Sequence, residues 1–501
     1  MIHKFRELYS NQTSEVKGLA KDIFWSVFGS VSSKVLNFIA WILIARILGK
    51  DGYGEYGLIR NTVMMFSAFA SFGLGITGTK FIAQYLESDS LKASRIASLT
   101  MSFAAFMGII VTIVSFTFSD LIADKTLKSP YLVNDFRIAS FILLMSALNG
   151  AQTGILFGLK QFKTDAKINI INALISFPVF VTGAYFYGVR GSIIAYTITN
   201  FTLCVQYQMA IKSLVQRKVI SLNLREGLKE WRLLYIFSLP AALSGLIIMP
   251  VKWCSDVMLV NTAGFSAMGI YSAALIVNTI VVVAANTLNA PFIAFMSNSK
   301  THDNLIEKLN VLMPWFLGVM IGLPFLCFPE IGSYLFGKEY EGEIFDRTLV
   351  FVILFMVIIM YKQGMSRIFV TQNMQWVNLL DNVLWGVFLL SSFYYLKCYA
   401  SVGLAISYCL AYIMVTMVMY PVYIKKRWMP LEFVVSKNVL IVWSMISALI
   451  GLSFISVSWI IRIPIYLLGC FVVILTFKSM LNSNIKYNIL EKHSSQVKQA
   501  E

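Results

Sequence analysis

Four basic side chains lie within long apolar segments of this 501-residue sequence, namely Lys34, Arg60, Lys252 and Lys362. An ionisable residue in a membrane-spanning helix costs about 2.5–3.5 kcal/mol on insertion scales, so each must face water, a partner or a bound ion. Only Asp256 and Asp381 are clearly acidic residues of the same segments. The interior is therefore net positive, and these residues favour the binding of an anionic ligand.

Structural interpretations compete with ligand binding at some of these positions. Lys252 and Asp256 are four residues apart on one helical face and can neutralise each other. Asp256 is also our candidate for proton coupling, because the three histidines all lie in polar segments. Long cations near helix ends can extend to the membrane interface, and we interpret Lys80 and Arg367 in this way.

A stripe of amides provides a candidate contact for sugar hydroxyls. Asn278, Asn286 and Asn289 fall within about 80° of one another on a helix of 3.6 residues per turn. Hydrogen bonding between helices explains the same stripe about as well. Both interpretations stay open at this point.

Glycine-rich segments resemble a phosphate loop only superficially. In the segment from Gly73 to Lys80, Thr79 separates the lysine from the second glycine, which such a loop does not allow. Gly154 and Gly158 are four residues apart and favour a close contact between helices. No outer loop is long enough for a glycosyl-transfer site, so we do not expect an enzyme.

The composition of the chain indicates the kind of secondary structure that positions these residues. The chain is 58% hydrophobic and 13% charged, whereas soluble proteins carry about 25% charged residues. Its solvent is therefore mostly lipid, and the net charge of +16 is typical of basic cytoplasmic loops, not of nucleic-acid binding. The six cysteines form no CxxC pair, so we expect no metal site and no cofactor.

Apolar runs of about 20 residues predict an all-α polytopic membrane protein with about fourteen transmembrane helices. The predicted spans are 23–45, 53–79, 96–118, 138–157, 168–187, 191–211, 233–260, 267–292, 310–336, 348–370, 376–396, 402–424, 438–459 and 463–481. This pattern indicates two six-helix lobes around a central cavity, followed by two C-terminal helices.

The same pattern gives a domain prediction. Its parts are a cytoplasmic N-terminal segment 1–22, an N-lobe 23–211, a basic connector 212–232, a C-lobe 233–424, two extra spans within 425–481 and a cytoplasmic tail 482–501. The connector could be an amphipathic helix on anionic head groups or a solvated link. Segments assigned to the inside carry well over twice as many Lys and Arg residues as the outside loops, which predicts that both termini are cytoplasmic.

Three short stretches of the first two spans carry a family resemblance. They are Ser33-Lys34-Val35-Leu36-Asn37-Phe38, Ile44-Ala45-Arg46-Ile47-Leu48-Gly49 and Tyr53-Gly54-Glu55-Tyr56-Gly57. A weak repeat of Gly54-Glu55-Tyr56 occurs as Gly269-Ile270-Tyr271, at the corresponding position of the second half. With these stretches the chain resembles bacterial polysaccharide-biosynthesis flippases, the O-antigen and capsule repeat-unit translocases of the multidrug/oligosaccharidyl-lipid/polysaccharide (MOP) exporter superfamily.

The resemblance implies a V-shaped pair of lobes around a cationic cavity in a bacterial inner membrane. The superfamily's peptidoglycan-precursor flippase has a cation at the position matching Lys34, and its second-helix cation is similar in placement to Arg60. The implied partners are a lipid-linked oligosaccharide, membrane lipids, and a polysaccharide polymerase and glycosyltransferases. Lys34 stands where that relative has Arg, and the neighbouring cation and acid pair of the relative falls at Ile39-Ala40 or Trp41 here. These departures favour a different lipid-linked saccharide.

We therefore expect a flippase that moves a polyprenyl-diphosphate-linked oligosaccharide outward by alternating access, for synthesis of O-antigen, lipopolysaccharide or capsule. A small-molecule or multidrug antiporter of the same superfamily is the first alternative, although the predicted spans of the first half contain no central Asp or Glu. The second is a non-transporting membrane scaffold of a polysaccharide assembly complex. A scaffold would tolerate neutral replacement of all four apolar-segment cations.

Overall fold

The computed structural model describes residues 14–217, 219–234, 238, 247–287, 304–371, 374–425, 436–455 and 457–482. These residues form helices and turns without any strand. The α-helices are α1 (Ser14–Ser71), α2 (Leu74–Tyr85), α3 (Ser90–Thr117), α4 (Val133–Gly158), α5 (Phe162–Gln216), α6 (Leu224–Gly227), α7 (Ile248–Thr287), α8 (Asn304–Cys327), α9 (Ile331–Phe336), α10 (Glu343–Thr371), α11 (Gln375–Leu396), α12 (Ala400–Lys425), α13 (Lys437–Ser453) and α14 (Trp459–Asn482).

The helices are long because lipid offers no hydrogen bonds to the backbone, so each spanning segment must satisfy its own peptide groups. Among the described residues, nine helical stretches are long and apolar enough to cross a membrane. Three of them, Ser32–Tyr85, Phe162–Gln216 and Trp376–Lys425, are 54, 55 and 50 residues long. One crossing needs only about 20 residues, so each of these holds two. The predicted all-α, multi-pass membrane fold is confirmed.

Glycines mark the breaks inside the longest helices. Gly49 in α1, Gly188 in α5 and Gly264 in α7 have φ values of 65°, 57° and 81°. Residues with a side chain rarely adopt this left-handed region, whereas glycine does so without steric cost. The three breaks fall where the sequence separates spans one and two, five and six, and seven and eight.

Two predicted spans are interrupted in the structure. The span 53–79 breaks at Phe72 and Gly73, which have φ values of 44° and 67°. The span 310–336 ends as α8 at Cys327 and resumes as the short helix α9 after Pro329. Hydropathy missed both breaks because one polar residue at each, Ser71 or Glu330, does not interrupt so long an apolar run, whereas a backbone turn depends on dihedral angles.

The chain divides into two compact units, each described here by itself. The first comprises Met1–Ile47 and Leu58–Met249, and the second comprises Leu48–Gly57 and Pro250–Glu501. In the first unit, α2, α3, α4 and α5 share a buried apolar core that contains Ile96, Ile155 and Ile211. The first unit therefore has its own core beneath its lipid-facing surface.

The connector between the predicted lobes docks on α3 of the first unit. The backbone N–H of Ser221 donates to Ser94 Oγ over 3.2 Å, and that of Asn223 donates to Ser98 Oγ over 2.9 Å. Residues 212–216 of the connector continue α5, and its later residues include the four-residue helix α6 and a short 3₁₀ turn. No single helix spans the described part of the connector, and its contact with lipid head groups stays a prediction.

Charge holds the connector in place as well. Arg95 Nε lies 3.1 Å from Glu226 Oε2, and Lys229 pairs with the other carboxylate oxygen of Glu226. The pKa of Glu226 is lowered, chiefly by the hydrogen bond from Lys229 and further by the charges of Lys229 and Arg95. Glu226 thus links the connector to α3 while it is ionised.

The two C-terminal helices pack into the second unit. The ring of Trp315 in α8, which is fully buried, lies 5.8 Å from Trp443 in α13 and 5.0 Å from Phe477 in α14. Arg462 in α14 donates to Glu330 over 2.7 Å at the other end of the same packing. Helices α13 and α14 therefore share the core of the second unit.

Candidate functional site

Lys34 is an exposed cation on an apolar helix. It lies in α1, and its neighbours Ser33 and Ala40 are buried. Within the described part of the chain, its side chain has no hydrogen bond or ion pair. Among the described residues Lys34 thus has no acidic partner, and the binding of an anion by Lys34 stays a prediction.

Arg60 lies beyond the kink of the same helix. It is half-buried, and its guanidinium carbon lies 5.5 Å from the ring centroid of Trp41. An aromatic face attracts a cation by about 0.5–2 kcal/mol without neutralising its charge. Trp41 therefore helps to position the guanidinium group of Arg60.

Lys252 and Asp256 differ in exposure although they are one turn apart in α7. Lys252 is exposed, whereas Asp256 is 4% exposed and influences the buried hydroxyl groups of Tyr271 and Tyr408 electrostatically. Asp256 also acts on Lys252 through its charge, but no salt bridge to Lys252 occurs among the described residues. Asp256 is thus buried in the second unit, whereas Lys252, one turn earlier, reaches its surface.

Lys362 is ion-paired within the second unit. Its Nζ lies 3.2 Å from both carboxylate oxygens of Asp381, and the two side chains are only 11% and 14% exposed. The hydroxyl of Tyr423 donates to the same carboxylate over 3.1 Å. The sequence grouped Lys362 with the uncompensated cations, and the structure instead gives it a buried acidic partner.

The predicted amide stripe is only partly described. Asn278 is 9% exposed, and its Oδ1 has no hydrogen-bond partner in the described part of the protein. Asn286 belongs to helix α7, and Asn289 lies outside the described residues. Contact of these three residues with a saccharide stays a prediction.

Arg367 is buried, so our interpretation that it extends to the membrane interface is wrong. It is 3% exposed, and its Nη1 donates to the backbone oxygen and to Oδ1 of Asn310 over 3.1 Å and 3.0 Å. Asn310 in turn donates to the backbone oxygen of Gly364 over 3.1 Å. This network ties α10 to α8. It could not be predicted from the position of Arg367 near the end of a predicted helix.

A buried acid of the first unit escaped sequence analysis. Asp165 in α5 is 7% exposed, and its two oxygens accept hydrogen bonds from Tyr207 Oη over 2.7 Å and from Asn169 Nδ2 over 3.0 Å. The predicted span began at residue 168, which placed Asp165 in a loop. A helix that begins earlier, at Phe162, brings it into the interior.

Beside this acid lies a cavity of about 650 Å³, and the described residues that line it all belong to the first unit. Helix α2 lines it with residues that include Thr79 and Lys80, helix α4 with Asn149 and Thr153, and helix α5 with Tyr207. Sequence analysis had considered Gly73–Lys80 only as a failed phosphate loop. The cavity was not predictable, because it depends on how three helices pack.

The two repeated Gly-x-Tyr motifs meet within the second unit. A Cβ atom on Gly54 would overlap the carbonyl oxygen of Phe265, and one on Gly269 would overlap the carbonyl oxygen of Lys50. The backbone N–H of Lys50 also donates to Glu339 Oε2 over 3.2 Å. Glycine is needed at both motifs because two backbones touch there.

The model of the family described as polysaccharide biosynthesis protein matches residues 19–298, which is more than half of the chain. The chain belongs to this family. The match includes Lys34, Arg60, Lys252 and Asp256, and it ends within the second unit. The resemblance drawn from the motifs of the first span is confirmed.

Similar proteins agree with this membership. Stage V sporulation protein B of Bacillus subtilis (strain 168) is 18% identical over 222 residues, and the matched region spans 42% of either protein. The chain thus spans less than half the length of this curated relative.

The fold of this family member is similar to solved transporter structures. An inward-facing multidrug resistance MATE family transporter of the MOP superfamily matches with a TM-score of 0.60 and 16% identity, over 78% of this chain and 93% of the other. A MOP superfamily transporter from Pyrococcus furiosus, described as having a binding pocket of reverse polarity, matches with a TM-score of 0.59 and 16% identity, over 81% and 96%. The shared fold is that of a polytopic transporter.

Proposed function

We propose that this protein is a flippase that transfers a polyprenyl-diphosphate-linked oligosaccharide from the inner to the outer leaflet, by alternating access, for cell-surface polysaccharide synthesis. Its family membership and its transporter fold support this proposal. The observation that carries it is Lys34, an exposed cation on an apolar helix without a carboxylate partner among the described residues. Such a charge is costly in lipid unless an anion offsets it.

We assign the diphosphate to Lys34 and Arg60 of the first unit, and Lys252 remains a further candidate cation from the sequence. All three lie on helices of candidate membrane spans, and Lys34 has no carboxylate partner among the described residues. Lys362 is left out of this set, because Asp381 already neutralises it. A diphosphate is a multiply charged anion, so several cations favour it over a neutral solute.

The membrane potential is our proposed source of direction. An inside-negative potential favours the outward movement of negative charge by about 2.3 kcal/mol per elementary charge per 100 mV. Asp256 is the candidate for an additional proton coupling, since it is buried next to two tyrosines. We place the protein in a bacterial inner membrane with both termini in the cytoplasm, in keeping with the distribution of Lys and Arg.

The test uses vesicles that contain the purified protein and a fluorescent polyprenyl-diphosphate disaccharide. We expect Lys34→Glu and Arg60→Glu to abolish outward transfer, while Lys34→Arg retains it. Lys478→Glu is the matched control, because Lys478 is an exposed cation of α14 without a described partner. Transfer that survives both charge reversals would refute the proposal, and the absence of transfer in vesicles that contain the wild-type protein would favour the non-transporting scaffold.

A small-molecule antiporter is the second candidate, and Asp165 is the observation that favours it. A buried acid in the first unit could bind a proton or an organic cation, and sequence analysis had found none there. In the same vesicles, efflux of a fluorescent cation that Asp165→Asn abolishes and Lys34→Glu spares would identify an antiporter. The opposite dependence would identify the flippase.

A further inference from the structure

We propose that the cavity of the first unit, lined by α2, α4 and α5, is a subsite for the saccharide part of the substrate. This inference rests on the proposed function and extends it, because the cations assigned above bind only the diphosphate. A volume of about 650 Å³ lies within the usual range of ligand sites, about 300–1,000 Å³. The described residues that line the cavity all belong to the first unit.

Helices α2 and α4 contact each other backbone to backbone at the wall of the cavity. A Cβ on Gly154 would lie 2.8 Å from Gly75 Cα, and one on Gly158 would lie 2.9 Å from the carbonyl oxygen of Gly78. The two helices therefore touch along glycines, as the spacing of Gly154 and Gly158 predicts. Gly75 and Gly154 also belong to the cavity wall, which exposes backbone there to a ligand.

An unsatisfied amide points to a ligand. Asn149 lines the cavity and is 8% exposed. Its Nδ2 donates to the backbone oxygen of Asn200 over 3.3 Å, while its Oδ1 has no partner in the described part of the protein. Buried polar atoms are nearly always hydrogen-bonded in native proteins. A bound group that donates a hydrogen bond would give Asn149 Oδ1 the partner that it lacks.

The other polar groups of the wall also present acceptors. Thr79 and Thr153 donate their hydroxyl hydrogens to backbone oxygens of Gly75 and Asn149, over 2.9 Å and 2.8 Å. Tyr207 donates its own to Asp165. Tyr207 already accepts from Asn169 Nδ2, whereas the hydroxyl oxygens of Thr79 and Thr153 keep lone pairs, so these two threonines match a ligand with hydroxyl donors.

The remaining lining residues fit the same ligand. Phe157 offers an aromatic ring to the apolar C–H face of a sugar, and Lys80 is an exposed cation that can pair with an anionic substituent. A lipid tail would leave Asn149 Oδ1 without a donor, and so would an organic cation that carries no N–H or O–H group. Asn149 thus favours a hydroxyl-bearing ligand whose apolar faces can contact the rest of the mostly apolar wall.

The experiment compares two probes bound to the full-length protein in nanodiscs. One is a short-chain prenyl diphosphate that carries a disaccharide, and the other is the same prenyl diphosphate without sugar. We expect Thr153→Val and Asn149→Leu each to weaken binding of the sugar-bearing probe about three- to tenfold, as expected for a lost hydrogen bond, without changing binding of the sugarless probe. Thr182→Val is the matched control, because Thr182 makes the same kind of backbone hydrogen bond in α5 but does not line the cavity.

A second measurement covers variants that fold poorly. A water-soluble thiol reagent should label Thr153→Cys, and the sugar-bearing probe should slow this labelling at least threefold, whereas the sugarless probe should not. Labelling of Thr182→Cys should respond to neither probe. Equal protection by both probes would overturn the inference.

The outcomes separate this inference from the proposed function. If Lys34→Glu weakens binding of both probes while the cavity variants alter neither, the subsite is refuted and the flippase stands. If wild-type protein binds neither probe, both proposals fall. If the cavity variants change only the amount of co-purified phosphatidylglycerol, the cavity holds a lipid head group and the saccharide subsite is refuted.

Discussion

Lys362 and Asp381 form a bidentate ion pair in which Nζ lies 3.2 Å from each carboxylate oxygen. The pair joins α10 to α11, and both side chains are largely buried. Removing one partner of a buried pair costs about 3–5 kcal/mol, because the other charge stays buried without compensation. The positive charge of Lys362, which the sequence alone associates with the substrate, is therefore neutralised by Asp381.

The first prediction concerns this pair. Lys362→Met and Asp381→Asn should each lower the thermal unfolding temperature in detergent, and the double variant should recover much of the loss. The double variant should also keep transport, because neither residue belongs to the proposed diphosphate site. Additive losses of stability, or a transport defect in a stable double variant, would contradict this assignment.

The second prediction concerns the contact between the repeated motifs. Gly54→Ala and Gly269→Ala should each destabilise the protein by about 1–3 kcal/mol, as overpacking does, because the new methyl group meets a backbone carbonyl. Gly451→Ala is the matched control, since no atom lies within 4 Å of its Cβ position and it is a helical residue of α13. Calorimetry in detergent measures the difference, and equal effects at all three glycines would disprove the close contact.

The third prediction concerns Arg367. Arg367→Met should leave the oxygens of Asn310 without their donor, and it should lower the free energy of unfolding by about 1.5–3 kcal/mol, the value of a hydrogen bond to a charged group. Asn310→Leu should have a similar effect, and the double-mutant cycle should show strong coupling between the two. A cation that only reaches the membrane interface would show no coupling to Asn310.

The fourth prediction is a pH dependence of connector docking. Since the pKa of Glu226 lies below the ordinary value of 4.5, its contribution is fully present above about pH 4.5 and is lost as the pH falls through the lower folded value. We expect pepsin to cleave the connector faster over that range. Glu226→Gln should expose the connector to proteases already at pH 7.

The control for this experiment is Glu341→Gln, an exposed carboxylate of another loop without a described partner. It should leave connector cleavage unchanged at pH 7 and below about pH 4.5. If Glu226→Gln also leaves cleavage unchanged at pH 7, hydrogen bonds such as that from Ser221 to Ser94 hold the connector without help from its charge.

Local features of the sequence were sufficient for the fold. The solvent is lipid, so each helix must satisfy its own backbone, and a run of apolar residues reveals it without knowledge of any neighbour. The breaks at Gly49, Gly188 and Gly264 were predictable for the same reason, because a glycine between two apolar runs permits the required dihedral angles. The breaks at Phe72 and after Cys327 were missed, since a single polar residue at each, Ser71 or Glu330, does not interrupt the apolar run.

The charges and the cavity depended on tertiary structure. Whether a cation is free or neutralised depends on residues far apart in the chain, as shown by Lys362 with Asp381, 19 residues away, and Arg367 with Asn310, 57 residues away. The sequence determined that cations lie in apolar helices and which helices carry them. Only packing decided which of those cations keep an uncompensated charge, because electrostatic and hydrogen-bond energies depend on distances in space and not on separation along the chain.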